Sequence, residues 1–204
     1  MPKIVDHAER RREVLDATWR VIARTGLDSA TTRAIAEEAG YSIGVLTHYF
    51  SDKQDILVSA HRLAFARARD RILAATRETT GIAALRLALL EALPLDAERF
   101  VEAQVDVSFL GQSVGNAHLR GIRSATYEGS RRLWRSFLDQ ADAGGELGPD
   151  ADLALLVDDV VCLVDSLSIQ AIVDPDHMTA DHQVVLVDRF LARVSAGGAP
   201  APAR

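Results

Sequence analysis

The sequence predicts an all-α chain in two parts: an N-terminal three-helix unit built round a helix-turn-helix, followed by a larger helical unit with a core of its own. Three observations predict it. Residues 31–53, TTRAIAEEAGYSIGVLTHYFSDK, set two short runs of helical apolar spacing on either side of a tight turn. One long stripe begins at Lys53 and continues well beyond that unit. Residues 153–173 and 179–194 are apolar round most of a helical circumference.

In order along the chain, residues 1–7 read as loose, and Arg10-Arg11-Arg12 open a helix in which Val14, Leu15, Ala17, Val21 and Ile22 fall at helical spacing before Gly26 stops it. Thr31 or Thr32 caps the next helix, whose inward face is Ile35, Ala36 and Ala39, and Gly40 supplies the residue most tolerant of positive φ at its end. After the turn at Tyr41, Ser42 caps a short helix carrying Val45, Leu46, Tyr49 and Phe50. Ser51-Asp52 caps a helix expected from Lys53 to about Thr79, with Ile56, Ala60, Leu63, Ala64, Ala68 and Ile72 in one stripe. Gly81 opens a helix through Leu85, Leu89 and Leu93 that ends near Pro94, and Asp96 caps another bearing Phe100, Ala103, Val107, Leu110 and Val114. A helix over about 117–141 follows, then a Gly-rich loop at 144–149. Asp150-Ala151-Asp152 starts the broad apolar helix to about Val173, and the last helix runs over about 179–194.

The order Gly26-Leu27, Thr31-Thr32, Ile35-Ala36, Ala39-Gly40-Tyr41-Ser42, Gly44-Val45-Leu46, His48-Tyr49-Phe50 and then Lys53 resembles the N-terminal DNA-binding domain of the tetracycline-repressor (TetR) family over roughly residues 8–60. The resemblance implies a DNA-binding domain over 8–52 and a helical effector-binding and dimerisation domain over 53–195, and the Gly-, Ala- and Pro-rich stretch over 196–204 reads as a disordered tail. It implies a transcriptional regulator, more often a repressor, that binds a roughly palindromic operator as a homodimer through its last two long helices and is released by a small-molecule effector. The family often carries tyrosine where this chain has Thr47. Val45-Leu46-Thr47-His48-Tyr49-Phe50 is more similar to the branch that includes choline-responsive betaine-pathway repressors (BetI-like). No effector is assigned from this.

Carried over by position, Ser42, Ile43, Gly44 and Thr47 are placed at base edges or the nearest backbone, and Thr32, His48, Tyr49 and Lys53 on phosphates. The arginines at 10–12 either reach phosphate or minor groove, or form a solvated end paired with Glu9 and Glu13. In the second part, Tyr127 and Trp134 share a face and form either an aromatic site for a flat or cationic ligand or ordinary core. Gln104 borders the apolar stripes and projects either into a cavity or at the rim. Asp158, Cys162 and Asp165 share a helical face. Their carboxylates line a cavity, or else pair with Arg131, Arg132, Arg135 or Arg189. The candidate effector residues are therefore Gln104, Tyr127, Trp134 and Asp165.

Composition sets the remaining bounds. Net charge is −6, yet residues 1–71 hold 12 Lys/Arg against 10 Asp/Glu, so the acidity lies outside the DNA-binding unit. Hydrophobic residues at 48% and charged residues at 25% are ordinary globular values. The single Cys162 reads as a buried small hydrophobe. No apolar signal core opens the chain, and Asp158, Asp159 and Asp165 interrupt its most apolar stretch, so a cytoplasmic chain without a membrane span is expected. His177, Asp181 and His182 meet no metal-ligand spacing, and phosphate-cradling, nucleophile-elbow and zinc-hydrolase motifs are absent. Neither metal, cofactor nor enzymatic activity is expected. The alternative from another class is a helical ligand-binding or scaffolding protein whose head does not bind DNA.

Overall fold

The computed structural model describes residues 7–26 and 30–195. The expected loose start lies outside the described residues except for His7, which begins the first helix, and the expected tail over 196–204 lies outside them altogether. Among the described residues the chain forms nine helices: α1 (His7–Thr25), α2 (Thr32–Ala39), α3 (Ile43–Tyr49), α4 (Lys53–Ala75), α5 (Gly81–Ala92), α6 (Ala97–Val114), α7 (Ala117–Ala143), α8 (Leu153–Val173) and α9 (Ala180–Val194).

Local chemistry sets most of these boundaries. Side chains of Thr31, Ser42, Asp52, Asp96, Asn116, Asp152 and Thr179 each accept a backbone N–H from the first turn that follows them, satisfying donors that a helix start leaves unmade. Gly40 ends α2 at φ 72°, where a side chain would be strained. The clearest departure from expectation is the end of α4, at Ala75 and not Thr79. Thr76 closes it by donating its N–H to Ile72, and the chain turns through Thr79 into Gly81, itself at φ 62°.

Two main cores result. The head core gathers Val14, Trp19 and Ile22 of α1, Ile35 and Ala36 of α2, Leu46 of α3 and Phe50. It is completed from outside the three-helix unit by Ile56, Ala60 and Ala64 of α4 and by Val105 of α6. The second core is formed by Leu85 and Leu89 of α5, Trp134, Phe137 and Leu138 of α7, Val157 and Val160 of α8, and Val187, Phe190 and Leu191 of α9. A small third cluster, Leu57, Val58, Phe109 and Leu119, joins α4, α6 and α7.

Cys162, expected as a buried hydrophobe, is exposed. It shares a face of α8 with Leu155 and Val173, because the three are spaced by nearly whole turns. Leu155 is 64% and Val173 74% exposed, and on α9 Val185 is 59% exposed. The apolar character of α8 thus divides between a side turned into the chain's own core and a side turned outward. Among the described residues no helix is long and apolar enough to cross a membrane.

Candidate functional site

The exposed surface of α3 is built on a fixed base. Leu46 and Phe50 are buried beneath it, and Arg11 ties its end to the neighbouring helices. The Arg11 guanidinium donates to the Tyr49 carbonyl at 2.8 Å and to Ser59 Oγ at 2.6 Å, and it stacks over the Phe50 ring at 4.4 Å. It also pairs with Asp55 at 3.4 Å, so the arginine cluster divides: Arg11 is a structural clamp, whereas Arg12 is exposed.

On that base Ser42, Ile43, Gly44, Thr47 and His48 are all exposed, with Tyr49 half-buried. Ile43, at the first turn of the helix, is 44% exposed although it is a large aliphatic residue. The fold does not require glycine at 44: a Cβ built there meets nothing closer than Ser42 Oγ, at 3.8 Å. Thr47 donates its hydroxyl to the Gly44 carbonyl at 3.1 Å, leaving its oxygen and methyl outward. Thr32 begins α2 and is half-buried, and Lys53 is the exposed first residue of α4. Six of the eight sequence-predicted contact residues thus lie together on or beside α3, with Thr32 and Lys53 at the starts of the helices flanking it.

The second site is a cavity of about 680 Å³ bounded by α4, α6, α7 and α8. Its volume lies in the range of small-molecule sites, roughly 300–1,000 Å³. Ala64, Ala68, Ile72, Ala103, Leu133, Val161 and Val164 supply apolar wall, and Phe65, Tyr127 and Trp134 supply rings. Trp134 is also part of the main core at 4% exposure. Gln104 does not line the cavity. Glu102, Ala103 and Asp106 do, and Gln104, two residues from both acids, points some 200° away round α6.

A polar cluster that the sequence did not single out crosses one side of this cavity. Arg123, only 4% exposed, donates to Asp106, to Tyr127 Oη at 3.0 Å and to Asp165 Oδ1 at 3.3 Å. Tyr127 donates its hydroxyl to Asp165. Asp165 therefore pairs with Arg123, and not with the four arginines expected from sequence. Asp158 does pair with one of those, Arg131, at 2.8 Å. Burial works against the Arg123 charge, but Asp106, Tyr127 and Asp165 outweigh it and raise its pKa. Burial raises the Asp165 carboxyl above its ordinary value, against the pull of Tyr127 and Arg123. Tyr127 is raised by burial and by its bond to Asp165.

Behind this cluster lies His61 of α4, with no exposure at all. Its ring stacks on Phe109 at 3.9 Å and 7°, and Nε2 lies 3.3 Å from Thr126 Oγ1. Thr126 donates its hydroxyl to the Ile122 carbonyl, so its oxygen accepts from Nε2–H. His61 Nδ1 is 3.3 Å from Asp106 Oδ1, close enough for an ion contact but off the line of a hydrogen bond. His61 and Arg123 thus approach the same carboxylate oxygen from α4 and α7.

Comparison with known proteins covers both sites. Residues 14–60 match the family model described as bacterial regulatory proteins, tetR family, and residues 81–196 match that of the BetI-type transcriptional repressor, C-terminal. The HTH-type transcriptional regulator PksA of Bacillus subtilis (strain 168) is 33% identical over 182 residues, 89% of this chain and 87% of that protein. The HTH-type transcriptional regulator BetI of Cronobacter sakazakii is 28% identical over 202 residues, 98% of each chain. Among solved structures, a transcriptional regulator from Saccharomonospora viridis in complex with choline superposes with a TM-score of 0.84 at 25% identity, covering 92% of this chain and 98% of that one.

Proposed function

The chain belongs to the tetR family of bacterial transcriptional regulators, with a BetI-type C-terminal part, and from that premise we propose that it is a homodimeric repressor released from a palindromic operator by a small molecule. Residues 8–52 act as the DNA-binding unit and 53–195 as the effector-binding and dimerising unit. The observation that carries this reading is the outward row Ser42, Ile43, Gly44, Thr47 and His48 on a short helix whose opposite side is locked by Leu46, Phe50 and Arg11. Such a helix enters a major groove with its first turn at base edges, while Thr32, His48, Tyr49 and Lys53 hold phosphates and fix register.

Two further observations support the rest. The exposed apolar residues Leu155 and Val173 on α8 and Val185 on α9 suit burial against the same helices of a second copy across a two-fold axis. The cavity under α4 suits the effector, with Tyr127, Trp134 and Asp165 in its wall. Because α4 both lines that cavity and begins at Lys53, an effector that favours a different packing of α4 changes the separation of the two α3 helices. It shifts the population only by its differential affinity for the two arrangements.

Selection of duplexes from genomic fragments with the purified protein, followed by binding of the recovered sequence against salt concentration, tests the proposal. A palindrome bound with a steep salt slope is expected. Recovery of no sequence, with or without cell extract as a source of effector, would overturn it in favour of a ligand-binding protein with an inactive head.

A further inference from the structure

The charges lining the cavity do not balance in the way a cation site requires. Three acidic residues face it, and each is already engaged by a cation of the protein itself. Both oxygens of Glu102 accept from the Arg71 guanidinium, Oε1 from Nη1 at 2.8 Å and Oε2 from Nη2 at 2.5 Å. Asp106 is held by Arg123 and approached by His61. Asp165 is held through both oxygens, by Arg123 and by the Tyr127 hydroxyl. The Tyr127 ring is occupied as well, with the Arg123 guanidinium 4.2 Å and that of Arg131 5.7 Å from its centroid. A quaternary ammonium could reach the ring and the carboxylates only by displacing Arg123, whose own charge would then be left buried.

The donors tell the opposite story. Of the four arginines lining the cavity, Arg99 is bound to Asp96 and to the Leu90 carbonyl, and Arg123 is bound as above. Arg69 and Arg132 are exposed and have no ion-pair partner among the described residues. Arg123 Nε adds a buried donor with no acceptor. The charge in this lining that the protein leaves unpaired is therefore positive, next to a wall of Ala64, Ala68, Ile72, Leu133 and Val164 that calls for hydrocarbon.

We propose that the cavity takes an amphipathic anion, an apolar chain ending in a carboxylate or phosphate, with Arg69 and Arg132 holding the head group. This rests on reading the cavity as the effector site and names the class of molecule that fills it. It also separates this chain from the Saccharomonospora viridis regulator, whose crystal structure contains choline.

Calorimetric titration of the full chain with decanoate, decyl phosphate, decanol and decyltrimethylammonium, all of one chain length, tests the proposal. At least one anion is expected to bind about tenfold more tightly than decanol, and the ammonium no better than decanol. Combined Arg69→Gln and Arg132→Gln substitution brings the anions down to the affinity of decanol and leaves decanol unchanged, with circular dichroism and each single variant as checks on folding. Ammonium binding equal to or tighter than that of both anions overturns the proposal, as does an anion preference that survives in the folded double variant. Mobility shifts of the selected operator run in parallel keep two failures apart. Anion binding that leaves operator affinity unchanged supports the ligand class and removes the effector reading. Release by cell extract without binding of either anion keeps the regulator and overturns the ligand class.

Discussion

The guanidinium of Arg123 stands 4.2 Å from the centre of the Tyr127 ring, one turn further along α7, and the same group binds Asp106 of α6 and Asp165 of α8. Three helices meet at one buried charge.

Removing that charge strands two acids. Arg123→Met leaves Asp106 and Asp165, which are 19% and 27% exposed, without their shared cation. Loss of one partner from such a buried network costs about 3 kcal/mol, and urea unfolding followed by circular dichroism is expected to show it. An unchanged midpoint would mean that the cluster contributes nothing to stability.

The same cluster has a pH signature with a definite sign. Burial raises the folded pKa of Asp165 above its ordinary value. A raised carboxyl contributes stability that is complete below its unfolded pKa and is lost as pH climbs through the folded one. Asp165→Asn removes that loss, so the difference in unfolding free energy moves towards the variant between about pH 4 and about pH 7. Denaturation at the two pH values reads the change, and a difference that stays constant or moves the other way contradicts it.

At α3, stability and function should separate. Gly44 has no internal contact that an added methyl would disturb, and glycine weakens a helix by about 0.5–1 kcal/mol relative to alanine. Gly44→Ala is therefore expected to leave thermal stability the same or slightly raised while lowering operator affinity, the outcome that the proposed close approach of DNA at Gly44 requires. Parallel melting and mobility-shift measurements decide it; a variant that binds the operator as well as the parent does not fit.

Lys53 and Thr47 should differ in kind. Lys53→Ala is expected to weaken binding to every duplex and to flatten the log-log salt slope by about 1, whereas Thr47→Ala alters which sequence is preferred. Titrations of operator and unrelated duplex at several salt concentrations distinguish the two effects.

On the opposite end of the chain, Leu155→Glu combined with Val185→Glu places charge on the exposed apolar faces of α8 and α9. Sedimentation equilibrium is expected to find a monomer with an unchanged helical spectrum. A variant that stays dimeric would locate the interface elsewhere.

What could be read in the sequence was chiefly what neighbours in sequence decide. Ser42, Asp52 and Asp96 cap helices because their partners are three residues away, and Gly40 takes its positive φ within one turn. The helix-turn-helix was legible for the same reason. The polar cluster was not, since His61, Asp106, Arg123 and Asp165 come from four helices and acquire meaning only when those helices pack. Cys162 fails differently. A helix apolar on nearly all sides carries no mark of which side meets its own core, so burial within the chain could not be told from a face left outward.

Helix α6 carries one more consequence. Val105, wholly buried, belongs to the head core, and Asp106, its immediate neighbour, belongs to the cavity wall. Helix α4 joins the head core, through Ile56 and Ala60, to the cavity wall, through Ala68 and Ile72. Here the two also share an axle a single peptide unit long. Because the two side chains stand on consecutive residues of one rigid helix, a rotation of α6 that moves Asp106 in the cavity wall also moves Val105 within the head core.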